Sequence, residues 1–499
     1  MGKNSAAGTV GLRTRLSYGL GCIGRDANYT LVSNFILTYL TLAVGVSNWQ
    51  LGAVGVVMVI ARVWDAVNDP MMGTIIDNTN TRFGKFKPFI LAGALLNSVF
   101  TVLLFSNPAQ GEVTFIVVFA ITYILWGMTY TMNDIAYWGM LPSLTTNHAE
   151  REKVTSLARI GANLGLFSVT ALVPILTAGG MGSMYRPIAI VVAAVFIACQ
   201  VLVVAGVQEP KRGITQVKNN TTLKDMVRII GKNDQLLVIA VAILLFNIGY
   251  FTTTGFGVQF FYFDYGVFGG PEFTIFAASL GVAQILTLSI FPSLAKGIKR
   301  RGQFTIGIVM VVIGYLALFA VGYLFPMNMP ILCVIGFVLF AGQAIVQLLN
   351  YVLLADTVEY GQWKLGTRND SIIYSLNPFI TKLASAVQAG IFSATLIISN
   401  LNTVSNEISG LENQMNQLGE GTEAVRDGII AEGNRIVQQI PDSSTFILRV
   451  SMIVLPLLLI LACYIIYMKK FKIDEKMYEK IVSDLEERAA AQAKEAPND

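Results

Sequence analysis

Apolar residues in this chain come in blocks of about twenty, set apart by short polar or charged stretches, as in LGAVGVVMVIA at 51–61 or IVVAAVFIACQVLVVAG at 190–206. A helix rises about 1.5 Å per residue, so each block is long enough to cross roughly 30 Å of hydrocarbon. Such blocks centre near residues 30, 63, 95, 127, 166, 196, 248, 284, 314, 343, 386 and 457, which predicts twelve membrane-spanning helices. One block breaks the rule. RVWDAVNDPMMG (62–73) continues the run at 51–61 without a loop, yet carries Asp65 and Asp69 four positions apart.

Composition agrees with the membrane reading: 54% of the 499 residues are hydrophobic and 13% charged, with mean hydropathy +0.61. A soluble domain carries about twice that charged fraction. The start, MGKNSAAGTVGLRTR, is polar and basic and does not read as a signal peptide. Cys22, Cys199, Cys333 and Cys463 all lie in apolar spans without paired spacing, so packed thiols are expected. Most of the 35 Lys and Arg fall in alternate loops, among them RFGKFK (82–87), REK (151–153), KGIKRR (296–301) and the stretch after Tyr467. The positive-inside rule places those loops and both termini in the cytoplasm. The net charge of +4 is therefore topological and no sign of nucleic-acid binding.

The longest basic loop, 208–234, separates six spans from six. A six-helix half at 1–207, a linker at 208–234 and a second half at 235–468 is the layout of the major facilitator fold, with the substrate cavity between halves. An external segment at 401–444 keeps Val404, Ile408, Leu411, Met415 and Leu418 at 4-3-4-3 spacing before Gly419-Glu-Gly421 interrupts it. That pattern predicts an amphipathic helical hairpin capping the outer face. The tail at 469–499 reads as a charged cytoplasmic helix fading into disorder.

Charges inside spans are costly and usually face a cavity. Here they are Arg25, Asp26, Asp65, Asp69, Asp134, Arg159 and Lys382. Residues i and i+4 share a helix face, so Asp65 and Asp69 are neighbours. Two close carboxylates in low dielectric need something positive: a proton, Na⁺, Li⁺, or a base such as Lys382. Asn68 adds an amide oxygen, suited to a hard cation. The bland alternative is that these acids pair with Arg62, Arg159 and Lys382 to pin helices together. The sole histidine, His148, lies in a cytoplasmic loop, so carboxylates must carry any proton coupling. In YTMNDIAYWGMLP (130–142), Asp134 offers an acceptor for sugar hydroxyls and Trp138, one turn on, a flat apolar face for the ring.

At these motifs the chain resembles the glycoside–pentoside–hexuronide:cation symporters. The matching stretches are GRDANY (24–29), RVWDAVNDPMMG (62–73), RFGKFKPFILAG (82–93), NDIAYWGMLP (133–142), EREKVTSLAR (150–159) and LADTVEYGQWKLGTRNDSIIYS (354–375). The resemblance implies a cation site of Asp65, Asn68, Asp69 and Thr131, with Asp65 and Asp69 as metal ligands if the ion is Na⁺. It implies a sugar site of Arg25, Asp26, Tyr130, Asp134, Trp138 and Arg159, and Lys382 as the link between the sites. Thr131 and Tyr130 rest on the resemblance alone. Gln347 stands where the melibiose-transporting members have a second tryptophan, Ser33 where they have a tyrosine and Pro378 where they have a threonine. Those departures loosen the galactoside preference, and Arg25 in place of a lysine leans slightly toward a uronide.

The expected activity is symport of a glycoside, pentoside or hexuronide with Na⁺, Li⁺ or H⁺ across the plasma membrane by a monomer without a cofactor. The rivals are an uncoupled sugar uniporter and a carrier of a non-sugar solute. An enzyme is not expected, since no nucleophile–histidine pair, metal cluster or phosphate loop is evident.

Overall fold

The computed structural model describes residues 10–79, 81–106, 111–144, 148–177, 182–207, 231–267, 272–366, 370–416 and 423–495. Its long helices are α1 (Leu12–Thr38), α2 (Asn48–Asn78), α3 (Lys87–Leu104), α4 (Glu112–Leu144), α5 (His148–Thr177) and α6 (Tyr185–Gly206). They continue with α7 (Asp234–Gly255), α8 (Glu272–Gly297), α9 (Arg300–Ala320), α10 (Met329–Leu365) and α11 (Asp370–Ile398). A hairpin of α12 (Leu401–Asn416) and α13 (Glu423–Gln438) follows, then α14 (Asp442–Lys470) and the tail helix α15 (Glu475–Glu495). Among the described residues eleven helices are long and apolar enough to cross a membrane. The 31-residue α2 is not one of the eleven; it carries Arg62, Asp65 and Asp69. The linker 208–230 and the hairpin tip at Gly419-Glu-Gly421 lie outside the described residues.

Helix starts are set by local chemistry. Ser47 Oγ accepts from Gln50 N at 3.3 Å while Gln50 Oε1 accepts from Ser47 N at 2.8 Å, a capping box that opens α2. Asn233 and Asn328 cap α7 and α10 through their side-chain oxygens.

The helices fall into two compact units. The first holds Met1–Lys218, Val258–Thr274 and Ser393–Thr445. In it α1 packs on α5 and α6, backbone against backbone at three glycines. A Cβ on Gly24 would stand 2.6 Å from Phe196 Cα, and one on Gly165 would stand 2.9 Å from Ala27 N and overlap the Ile23 carbonyl oxygen. Small residues permit this approach where packing, not water, drives helix association. Gly165→Val is expected to force α5 off α1 and lower stability by about 1–3 kcal/mol, read as an earlier thermal unfolding transition of the detergent-solubilised protein.

Buried amides lock α1, α3, α4 and α6 in register. Asn28 Nδ2 donates to Asn97 Oδ1 at 2.6 Å, and Asn97 Nδ2 to the Trp126 carbonyl at 2.7 Å. Asn133 Nδ2 donates to the Ile90 carbonyl at 2.7 Å and Gln200 Nε2 to the Gly21 carbonyl at 2.8 Å. With no water to turn to, such groups hold their partners. The network spans α1, α3, α4 and α6.

Within 401–444 the structure describes two helices, α12 and α13, and α12 packs on the π-helical turn Tyr39–Val44 that continues α1. Asn402 Nδ2 donates to the Val46 carbonyl and to Asn48 Oδ1, both at 2.9 Å, and Ser409 Oγ to the Ala43 carbonyl at 3.1 Å. Between them Gly45 turns the chain at φ +73°, a conformation that favours glycine. Elsewhere in this unit Glu150, at the start of α5, gathers Lys153 Nζ at 3.0 Å, the Val10 N–H at 3.2 Å and Arg15. The Lys153 hydrogen bond first, then Val10 and Arg15, hold its carboxyl below the ordinary glutamate range.

The second unit holds Asn219–Gly257, Ile275–Phe392 and Phe446–Asp499. Buried Arg449 donates to the Phe319 and Val321 carbonyls at 3.1 and 2.6 Å, satisfying orphan acceptors at the end of α9. The tail carries the expected charged helix, α15, with Ile481 buried and Asp484 accepting from Trp363 Nε1 at 2.9 Å. Arg488 donates to the Trp363 carbonyl at 3.0 Å. The four cysteines are free thiols, as their spacing predicted, with Cys22 and Cys463 buried.

Candidate functional site

Three positions on α2 meet three on α4 in matching order, so the two helices run the same way. Arg62 donates to Asp65 Oδ2 and to the Tyr123 hydroxyl, each at 3.1 Å. One turn on, Gly127 faces Asp65, where a Cβ would stand 3.3 Å from Oδ1. A further turn on, Thr131 Oγ1 donates to Asp69 Oδ1 at 2.9 Å. Asp65 is 3% exposed and Asn68 is buried, its Nδ2 without a hydrogen-bond partner. Thus Asp65, Asp69 and Thr131 lie along one α2–α4 seam, with Asn68 buried on the same stretch of α2. Their oxygens form a hard-donor set that suits Na⁺ or Li⁺, and the carboxylates suit a proton. Arg62, on the same helix, already stands beside Asp65 as a fixed positive charge.

The second cluster starts one turn further along α4. Arg25, 3% exposed on α1, donates through Nε and NH2 to Asp26 Oδ2 at 3.1 and 2.8 Å. Its NH1 lies 3.1 Å from Asp134 Oδ1. The guanidinium sits over the rings of Tyr137 and Trp138, 4.8 and 5.0 Å from their centroids. Tyr137 is held in turn by Tyr18, whose hydroxyl donates to the Tyr137 carbonyl at 2.8 Å and whose ring stacks on it. Asp26 and Asp134 keep 25% and 33% of their side chains exposed, and Trp138 is half-buried. Tyr130 is buried and its ring packs against Tyr29 and Trp126. Carboxylates beside an indole face form a surface that suits polyhydroxylated rings.

Arg159 is exposed on α5, about 160° around the helix from Gly161, which faces α1. Gln347 on α10 and Lys382 on α11 are half-buried residues of the second unit. Pro378 lies inside α11.

A family model described as "MFS/sugar transport protein" matches residues 17–475. The chain belongs to that family. A lactose permease of Leuconostoc lactis is 29% identical over 96% of this chain and 73% of its own length. A raffinose carrier protein of Pediococcus pentosaceus is 30% identical over 78% of this chain, which spans 63% of that carrier. A crystal structure of a bacterial homologue of the human lysosomal transporter Spinster, inward-facing and unoccupied, superposes with TM-score 0.61 at 14% identity, covering 94% of this chain and 97% of that one. At that identity the superposition carries the fold alone: an all-helical major facilitator. The resemblance to the glycoside–pentoside–hexuronide:cation symporters stands with the family. This is a multi-pass membrane transporter of a sugar-transport family, not an enzyme, and such symporters use no cofactor.

Three residues that complete these clusters were missed in the sequence: Tyr123, Gly127 and Tyr137. The first two were detectable, because Tyr123, Gly127 and Thr131 repeat on α4 nearly the spacing of Arg62, Asp65 and Asp69 on α2. Nothing in the sequence singled out Tyr137 from the other aromatics of its span.

Proposed function

We propose that this protein is a plasma-membrane symporter that couples a monovalent cation to a glycoside, pentoside or hexuronide, by alternating access of twelve spans with both termini cytoplasmic. The observation that carries this reading is the shared helix. Thr131 donates to Asp69 of α2 and Asp134, three residues on, pairs with Arg25, so α4 carries one edge of each cluster. A cation bound at Asp65, Asn68, Asp69 and Thr131 neutralises the carboxylates and fixes α4, which presents Asp134 and Trp138 to the sugar. Thermodynamic linkage then makes the sugar tighten cation binding by the same factor, typically about 5–150-fold. Lys382 is assigned the linking role by the family resemblance, with Tyr130, Arg159 and Gln347 completing the sugar site. The monomer suffices for this scheme. The relatives that transport lactose and raffinose support the sugar class.

Uptake of labelled glycosides, pentosides and hexuronides into vesicles under an imposed Na⁺ or H⁺ gradient tests it. Wild type is expected to accumulate one class, whereas Asp69→Asn keeps sugar exchange and loses accumulation. Accumulation that ignores both gradients, with the variant unaffected, would hand the case to the uniporter.

A further inference from the structure

We infer that Tyr29 is a positioning residue, whose ring carries the occupied state of the cation site to the sugar site. This deepens the symporter reading above and rests on it. Tyr123, Trp126 and Tyr130 recur at i, i+3 and i+7 on α4, so their rings share one face. They form a ladder, with the Trp126 ring 5.6 Å from Tyr123 and 6.0 Å from Tyr130 between centroids. Trp126 is inclined to the two by only 27° and 20°. The Tyr123 rung belongs to the cation site: its hydroxyl accepts from Arg62, which also donates to Asp65. Beyond the Tyr130 rung, one turn on, Asp134 pairs with Arg25.

Tyr29 is the ring that α1 adds to this ladder. Its centroid lies 5.8 Å from Trp126 and 4.8 Å from Tyr130, so it rests on two successive rungs at separations where aromatic pairs attract. On α1 itself Tyr29 stands one turn from Arg25 and Asp26, on their face of the helix. Tyr123 and Trp126 are each 1% exposed, so the ladder is enclosed packing and not cavity lining. Close-packed rings leave little void in which a displacement could be lost. A cation that draws Asp65 toward it moves Arg62, and the Tyr123 hydroxyl passes that movement to the ladder. Tyr29 then hands it to the α1 turn that bears Arg25 and Asp26. The Arg25–Asp134 and Tyr18–Tyr137 contacts also join α1 to α4, but they lie beyond Thr131, further from Arg62 along α4.

The experiment titrates the purified transporter in lipid nanodiscs with a panel of glycosides, pentosides and hexuronides, lactose and raffinose among them. Each titration is run with and without Na⁺ or Li⁺, and at acid and alkaline pH. The readout is the ratio of sugar affinities between the two conditions, expected at about 5–150-fold in wild type. Tyr29→Leu removes the ring and is expected to shrink that ratio at least about threefold, within the range of substitutions along a coupling network. Its sugar affinity without the ion should stay close to that of wild type. Tyr29→Phe keeps the ring and should keep the ratio. Tyr29→Met, flexible and of similar reach, replaces the leucine variant if that one does not fold. A ratio unmoved in a folded leucine or methionine variant overturns the inference. Affinity lost equally with and without the ion makes Tyr29 a sugar contact and also overturns it. A phenylalanine variant as uncoupled as the leucine one overturns the stacked ring as the cause. A wild-type ratio of one with every ion and at both pH values overturns the inference together with the symporter reading. Failure of the whole panel to bind overturns it together with the sugar-transport reading.

Discussion

Asp65→Ala is expected to cost about 3–5 kcal/mol of stability, the usual penalty for stripping one partner from a buried ion pair. Arg62 and Asp65 are both almost wholly enclosed, and Arg62 would be left with the Tyr123 hydroxyl as its remaining hydrogen-bond partner among the described residues. A fixed guanidinium cannot shed its proton to escape the cost, as a lysine can. The measurement is thermal unfolding of the solubilised protein beside Asp69→Asn, which should unfold close to wild type because Asp69 donates no charge to the Arg62 bond. The double variant Arg62→Met with Asp65→Leu should recover much of the lost stability, since replacing a whole buried pair by apolar groups is often neutral or better. Coupled transport should not return with it. Equal destabilisation by Asp65→Ala and Asp69→Asn would show that Arg62 is not the partner that matters.

The second large effect is at the other end of α4. Arg25→Gln leaves Asp26 and Asp134 facing one another without the charge that now joins them, and takes the cation off the Tyr137 and Trp138 rings. Losing one member of a buried hydrogen-bonded charge pair typically costs 2–5 kcal/mol, so sugar affinity should fall by about 30-fold or more. Arg25→Lys should recover only part of it, because an ammonium cannot direct a planar fork at Asp26 while reaching toward Asp134. Sugar titration of both variants gives the comparison. A glutamine variant that binds sugar as wild type does would reduce Arg25 to a scaffold residue.

Much of this was legible in the amino-acid order. Span positions follow from hydrophobic length: α1, α3 to α11 and α14, the eleven helices apolar enough to cross a membrane among the described residues, each cover one predicted centre, and the remaining centre falls in the charge-bearing α2. The Asp65/Asp69 seam and the Arg25–Asp26–Asp134 cluster follow from the cost of charge in hydrocarbon, which leaves few places for seven ionisable groups to go. What stayed hidden was which opposite charges meet. That Arg25 turns its Nε and NH2 toward Asp26 could not be read from the sequence, because depth along a helix does not give azimuth. Arg159 shows the same limit: its depth suits the sugar cluster, but its depth did not tell that it stands exposed, about 160° around α5 from the glycine that meets α1. The packed face of the tail helix stayed hidden for a related reason. Its charge density signals solvation, yet Ile481 and the Trp363–Asp484 bond give one face a surface to lie on.

The glycine contacts of α1 carry a mechanical consequence. Gly24 rests on the backbone of α6, and Gly161 and Gly165 of α5 rest on the backbone of α1. A joint made of main chain has no rotamers to flip, so it offers no sliding surface: any axial slip of α1 would drive carbonyls into Cα atoms within a fraction of a residue's rise. The helix bearing Arg25 and Asp26 is therefore keyed to α5 and α6, and the three must swing as one piece. Whatever bending the transport cycle demands has to be absorbed elsewhere, at π-helical turns such as Tyr39–Val44, where the ladder of backbone bonds is already loosened.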